Sequence, residues 1–136
     1  MNKIDVVTTS TVRPEILDKT YKSFCTNLFK NKDDYRLIIN IDPVGDKRYR
    51  PEDVLSVARK YFSEVVYNIP KEPNFASAVI WVWNQVENNY VFHLEDDWDL
   101  LKKINIKSMI RILDKYEFIC SARLSQGNIK GRYLDD

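Results

Sequence analysis

Glycine is scarce in this chain, at 3 residues in 136, and proline is only slightly commoner, at 5. Long flexible linkers draw on both residues, so their scarcity points to one domain spanning residues 1–136. Cysteine is limited to Cys25 and Cys120, which have no CxxC spacing and no nearby histidine. Each lies in an apolar segment and reads as a reduced core thiol, which favours a cytoplasmic setting. An excess of one charge is also missing. Lys and Arg number 21 against 20 Asp and Glu, a formal net charge of +1, so nothing electrostatic calls for nucleic acid as a partner. No apolar run is long enough to span a bilayer, and Met1–Asp5 lacks the apolar core of a signal peptide. What remains is a composition of 44% hydrophobic and 30% charged residues, expected of a globular, soluble chain.

Strand-like and helix-like segments alternate along it. Ile4–Thr8 is short and β-branched and reads as a strand. Thr9–Arg13 reads as a polar loop, and Pro14 suits the first turn of a helix whose Leu17, Tyr21, Phe24 and Leu28 recur at helical spacing to about Lys30. Tyr35–Ile41 is a second strand ending in a turn at Asp42–Asp46. Pro51-Glu52-Asp53 opens a second helix with acids in its first turn and Val54, Leu55, Ala58 and Phe62 on its apolar face. Glu64–Ile69 is a third strand. The segment Phe75–Val86 is apolar almost all round, which predicts a helix buried on most sides, with Trp81 and Trp83 in the core. Tyr90–Leu94 is a fourth strand, Ile104, Ile106, Ile110 and Leu113 mark a fourth helix, and Glu117–Leu124 a fifth strand. This order predicts an α/β fold, a mostly parallel Rossmann-like sheet covered by helices on both faces.

Ligands of such sheets bind beyond the carboxyl ends of the strands. Three polar clusters fall at those ends: Thr8–Arg13, Asp42–Asp46 and Glu95–Asp99. The last puts four carboxylates in five positions, Glu95, Asp96, Asp97 and Asp99. Their mutual repulsion requires a cation, a helix N-terminus or a basic neighbour. Magnesium or manganese fits, because these ions take one or two carboxylates and complete their shell with substrate phosphates. The rival is a helix cap formed by Asp97 or Asp99. Arg13, beside a helix start, suits a pyrophosphate or plain solvent exposure. Thr8, Thr9, Ser10 and Thr11 suit a base or ribose, or an ordinary turn. Asp42 suits a ribose hydroxyl or base imide, or again a turn. The sole histidine, His93, reads as structural, against a metal or base role. Trp98 either covers the site or is buried beneath the next helix.

The order of elements resembles the nucleotide-sugar half of GT-A glycosyltransferases, over roughly Ile4–Leu124. Ile4–Arg13 is similar to the first strand and base-binding loop of the family 2 type, and Asn40-Ile41-Asp42 to the second strand. Asn74-Phe75-Ala76-Ser77-Ala78 with Trp83-Asn84 is similar to the N-x-x-x-A…N helix. His93-Leu94-Glu95-Asp96-Asp97-Trp98 resembles the DxD region in its Glu-Asp-Asp form, as in N-acetylglucosaminyltransferase I.

The resemblance implies a nucleotide-diphosphate sugar donor held by Thr8, Ser10, Arg13, Asp42, Asn74, Glu95 and Asp96, with Asp97 on manganese or magnesium. It further implies hexosyl transfer to an acceptor, whether glycan, protein or lipid. Asp42-Pro43 departs from the usual Asp-Asp-Gly-Ser. The sequence runs only about 40 residues past Asp97, where such enzymes carry the acceptor site and base, so no catalytic base is named. A donor-binding or assembly module without catalysis is therefore an alternative, and the short chain is compatible with a homo-oligomer. A nucleotidyltransferase is a further alternative, although no Gly-rich phosphate loop follows the first strand.

Overall fold

The computed structural model describes residues 3–125. Strand β1 (Ile4–Val12) leads to helix α1 (Pro14–Asn27), a 3-10 turn at Lys32–Asp34 and strand β2 (Tyr35–Gly45). Helix α2 (Pro51–Tyr61), strand β3 (Glu64–Asn68), helix α3 (Phe75–Asn84), strand β4 (Val91–His93) and helix α4 (Ile106–Lys115) follow. The chain divides into two units between Lys103 and Ile104. The first holds the sheet and its three helices, and the second holds α4.

The sheet has four strands in the order β3-β2-β1-β4, all parallel. Ile4 pairs with Tyr35, Asp5 with Val91 and Arg36 with Glu64. Because side chains alternate along a strand, β1 and β2 build two cores. Helices α1 and α2 cover one face. There, Phe29 meets Phe92 edge-on with centroids 5.1 Å apart, and Tyr21 meets Phe62 at 5.1 Å. On the opposite face Val7, Ile38 and Val82 of α3 form a buried cluster, flanked by Val66, Trp81, Val86 and Val91.

The helix starts follow the sequence signals. Pro14 and Pro51 occupy first turns, where the missing N–H goes unneeded. The Asp53 carboxylate accepts from the Arg50 backbone N–H at 2.7 Å, and the Asn74 side chain accepts from Ser77 N at 3.0 Å to cap α3.

Several elements depart from expectation, each for a packing reason. The polar stretch Thr9–Val12 continues β1 instead of looping out. Its register shifts between Ser10 and Val12, so that Val12 pairs with Gly45. Strand β2 accordingly runs through the expected turn as far as Gly45. Pro43 falls where the ladder to β1 is interrupted, so its missing N–H costs no bond. Gly45 has φ +142°, and a Cβ there would lie 2.5 Å from the Val12 carbonyl oxygen, so a side chain is excluded.

Helix α3 buries only Ala78 and Val82. Phe75 is 68% exposed, Ile80 61% and Trp83 47%. Among the described residues of the sheet unit α3 packs on β1 and β2 with no helix beside it, and a helix so placed buries one stripe only, whatever its composition. Trp81 is half-buried against the Val7 cluster, and Trp83 is not in the core. The expected fifth strand, Glu117–Leu124, has no strand pairing among the described residues, and Phe118 there is 84% exposed. Cys25 is half-buried, and burial raises its thiol to about 11. Cys120, expected in a core, is exposed.

Candidate functional site

Parallel pairing of β1 with β4 sets Val7 beside His93, so the chain leaves β4 directly against the last residues of β1. Asp96 is the hinge of this junction and is buried. One of its carboxylate oxygens accepts from Ser10 Oγ at 3.1 Å and Thr11 N at 3.3 Å, and the other from Arg13 Nη2 at 2.6 Å. Burial raises its pKa, against the pull of the Arg13 charge and the Thr11 and Ser10 donors. A polar stripe on α1 fixes the segment that follows. Thr20 Oγ1 donates to the Asp96 carbonyl at 2.9 Å, Ser23 Oγ accepts from Leu100 N at 3.0 Å, and Asn27 Nδ2 donates to Leu100 O at 2.9 Å. These residues recur at i, i+3 and i+7, one face of a helix.

Asp97 points the other way. Its side chain is 52% exposed and lies 3.9 Å from Arg13 Nη2. Asn105, not Asp97 or Asp99, caps α4, its side chain accepting from Lys107 N at 3.1 Å and Ser108 N at 3.4 Å. The cap explanation for the acidic cluster therefore fails. Glu95 turns toward the α3 face. Its Oε1 lies 2.8 Å from His93 Nε2, and its Oε2 accepts from Thr9 Oγ1 at 3.4 Å. His93, expected inside the sheet packing, is instead exposed. The ring of Trp98 meets it edge-on at 5.8 Å.

On the same face, Asn68 Nδ2 donates to Asn40 Oδ1 at 2.8 Å and Asn40 Nδ2 donates to Asp42 Oδ1 at 3.0 Å. Asp42 is thus a held carboxylate within β2, not a loose turn residue. Asn74 lies at the α3 cap. Thr8 is buried beneath α1, its Oγ1 accepting from Tyr21 OH at 3.1 Å, so here it serves packing.

Ser10, Arg13, Glu95, Asp96 and Asp97 therefore share one junction, with Asp42 and Asn74 on neighbouring elements and Thr8 withdrawn below. Thr11, named above with its neighbours, joins the network through its backbone N–H; Thr20 and Asn68 join it without having been singled out, and Asn40 was quoted only as part of the second-strand motif. The signal for Asn40 was its spacing of two from Asp42, which puts both on one face of β2. Arg13 also lines an open cleft of about 340 Å³ with Pro14, Glu15, Ile16, Gly45, Asp46 and Tyr49. Its Nε is buried without a hydrogen-bond partner, so the guanidinium is only partly satisfied by Asp96.

The donor set bears on the implied metal. Among the described residues no group of three or more His, Cys, Asp or Glu side chains is arranged to hold an ion, so these residues by themselves form no closed cage. A half-exposed carboxylate such as Asp97 fits a hard cation that takes one or two carboxylates and fills its shell with phosphate and water.

The sequence matches no family model and no curated protein. The fold does match solved structures. Staphylococcus aureus TarS, a GT-A-like glycosyltransferase, aligns with a TM-score of 0.64 at 14% identity, covering 83% of this chain and 20% of that one. A second structure, TarS 1–349, aligns with a TM-score of 0.62 at 13% identity, covering 85% of this chain and 33% of that one. The chain thus has a glycosyltransferase-like α/β fold and spans between a fifth and a third of these neighbours. Among the described residues no helix is long and apolar enough to cross a membrane.

Proposed function

We propose that this chain binds a nucleotide-diphosphate sugar together with manganese or magnesium and serves transfer of the sugar to an acceptor. One observation carries the proposal. At the adjoining carboxyl ends of β1 and β4, a buried Asp96 holds Arg13 at 2.6 Å while Asp97 stays half-exposed beside the same guanidinium. A fixed cation and an available carboxylate at a parallel-sheet rim suit a diphosphate and its metal.

In this reading Arg13 binds a phosphate with its remaining donors, and Asp97 holds the ion against the diphosphate. Ser10 and Asp96 keep Arg13 in place. Asp42, backed by Asn40 and Asn68, takes a hydroxyl or imide of the nucleoside, and Asn74 lies at the same strand ends. When bound, the metal supplies Lewis-acid neutralisation of the leaving diphosphate. The cytoplasm remains the proposed compartment, and the acceptor remains a glycan, protein or lipid hydroxyl.

The test is thermal protection by nucleotides. Binding to the native state alone raises the melting temperature with ligand concentration. UDP or GDP is expected to raise it with manganese present and far less without. No shift with either nucleotide, with or without manganese, would remove the proposal.

A further inference from the structure

The GT-A resemblance names no base, and none of the roles assigned above uses His93. It is the only histidine in the sequence, and it stands at the end of β4 on the face that α3 leaves open. Two contacts orient it and a third steadies its partner. Glu95 Oε1 lies 2.8 Å from Nε2, Trp98 abuts the ring edge-on at 5.8 Å, and Glu95 is steadied in turn by the Thr9 hydroxyl at 3.4 Å.

Glu95 Oε1 is within hydrogen-bonding distance of Nε2, the geometry in which a carboxylate accepts from an Nε2–H; in that tautomer Nδ1 carries the lone pair. A carboxylate that fixes one imidazole nitrogen leaves the other as a base and stabilises the imidazolium that forms. The side chain is 42% exposed, against 28% for Glu95. The imidazole is therefore the more accessible member of the pair and the carboxylate the more covered one.

We infer that His93, oriented by Glu95, is the general base that takes the proton of the attacking hydroxyl. This rests on the sugar-nucleotide reading above. Nδ1 accepts the hydroxyl proton as the oxygen forms its bond to the anomeric carbon. The bond from that carbon to the diphosphate oxygen breaks, and its electron pair leaves with the nucleoside diphosphate. A single displacement of this kind inverts the anomeric carbon. Water replaces the acceptor in the hydrolytic version of the same step. Glu95 acts through His93 and is a positioning residue.

The experiment uses the full chain with manganese and three probes, UDP-glucose, UDP-N-acetylglucosamine and GDP-mannose. Nucleotide binding and release of free UDP or GDP are measured in parallel on wild type, His93→Gln and Glu95→Gln. His93→Gln is expected to bind nucleotide as wild type does and to lose about 100-fold or more in turnover, with partial rescue by added imidazole. Because the histidine is unique, its ¹⁵N signals report the tautomer without assignment. The Nε2-protonated form is expected in wild type and is expected to lose its dominance in Glu95→Gln.

Unchanged turnover in His93→Gln, an Nδ1-protonated ring in wild type, or tight donor binding with no hydrolysis at all would each overturn the inference. Loss of nucleotide binding by wild type itself would instead overturn the sugar-nucleotide reading.

Discussion

Two buried carboxylates in the sheet unit behave oppositely. Asp5, at the start of β1, is fully buried and accepts from Glu87 N at 2.8 Å, Asn88 N at 2.9 Å, Asn88 Nδ2 at 2.8 Å and Arg36 Nη1 at 3.1 Å. Burial opposes its ionisation, but the Asn88, Glu87 and Arg36 donors outweigh burial and lower its pKa. Asp96, just past β4, meets fewer donors for its burial, and its pKa is raised. Asp5 is a completed clamp: it ties the α3–β4 connection to β1, and Arg36 extends it to the Gln85 carbonyl at 3.2 Å and toward Glu64. Asp96 holds a guanidinium that retains an unpartnered Nε. One end of the sheet is satisfied by the chain itself, and the other leaves a buried guanidinium nitrogen without a partner.

The largest expected effect lies at the satisfied end. Asp5→Ala leaves Arg36 buried without its main counter-charge, a loss of about 3–5 kcal/mol, read from urea unfolding. A loss near zero would mean that the Asp5 network is not the clamp described. Asp96→Ala removes charge-assisted bonds from a partly wet junction and is expected to cost less, about 1.5–3 kcal/mol. It is also expected to abolish nucleotide protection by releasing Arg13. If it proves more destabilising than Asp5→Ala, the contrast between the two ends is reversed.

The contrast sharpens with pH. Asp5 has a lowered native pKa, so its stabilising contribution is present above the usual 3.8 and is lost as pH falls through the native value. Asp96 has a raised native pKa, so protonation favours folding. Its contribution is greatest below 3.8 and is lost as pH rises through the native value. Unfolding free energies of wild type against Asp5→Asn and Asp96→Asn, followed from acid to neutral pH, are expected to trend in opposite directions. Parallel trends would show that the two carboxylates do not differ in kind. The smallest effect on stability is expected from Asp97→Ala. Asp97 is half-exposed and makes only a 3.9 Å approach to Arg13, so its removal is expected to change stability by no more than about 0.5 kcal/mol.

Much of this arrangement is legible in the residue pattern. Pro51-Glu52-Asp53 announces α2, the β-branched run in Tyr35–Ile41 announces β2, and the acidic cluster after Leu94 marks the rim. The direction of each acid is not legible, because period-two alternation stops where β4 ends at His93. Only the polar stripe of α1 and the Ser10–Arg13 donors decide that Asp96 turns inward while Asp97 does not. Thr9–Val12 looks like a loop by composition yet pairs as strand, since tertiary pairing overrides local polarity. Asp5 and Arg36 attracted no notice, although two charged residues within otherwise apolar strands imply a buried partnership. The exposed flank of α3 was hidden by its own composition, because an apolar helix reads the same whether or not a neighbour covers it.

The most direct measurement is calorimetric titration of UDP and GDP, with and without manganese, on wild type and Asp97→Ala. One nucleotide is expected to bind in a manganese-dependent way, and Asp97→Ala, equally stable, is expected to lose the metal-dependent part. Binding that ignores both manganese and Asp97, or no binding by either nucleotide, would contradict the sugar-nucleotide reading.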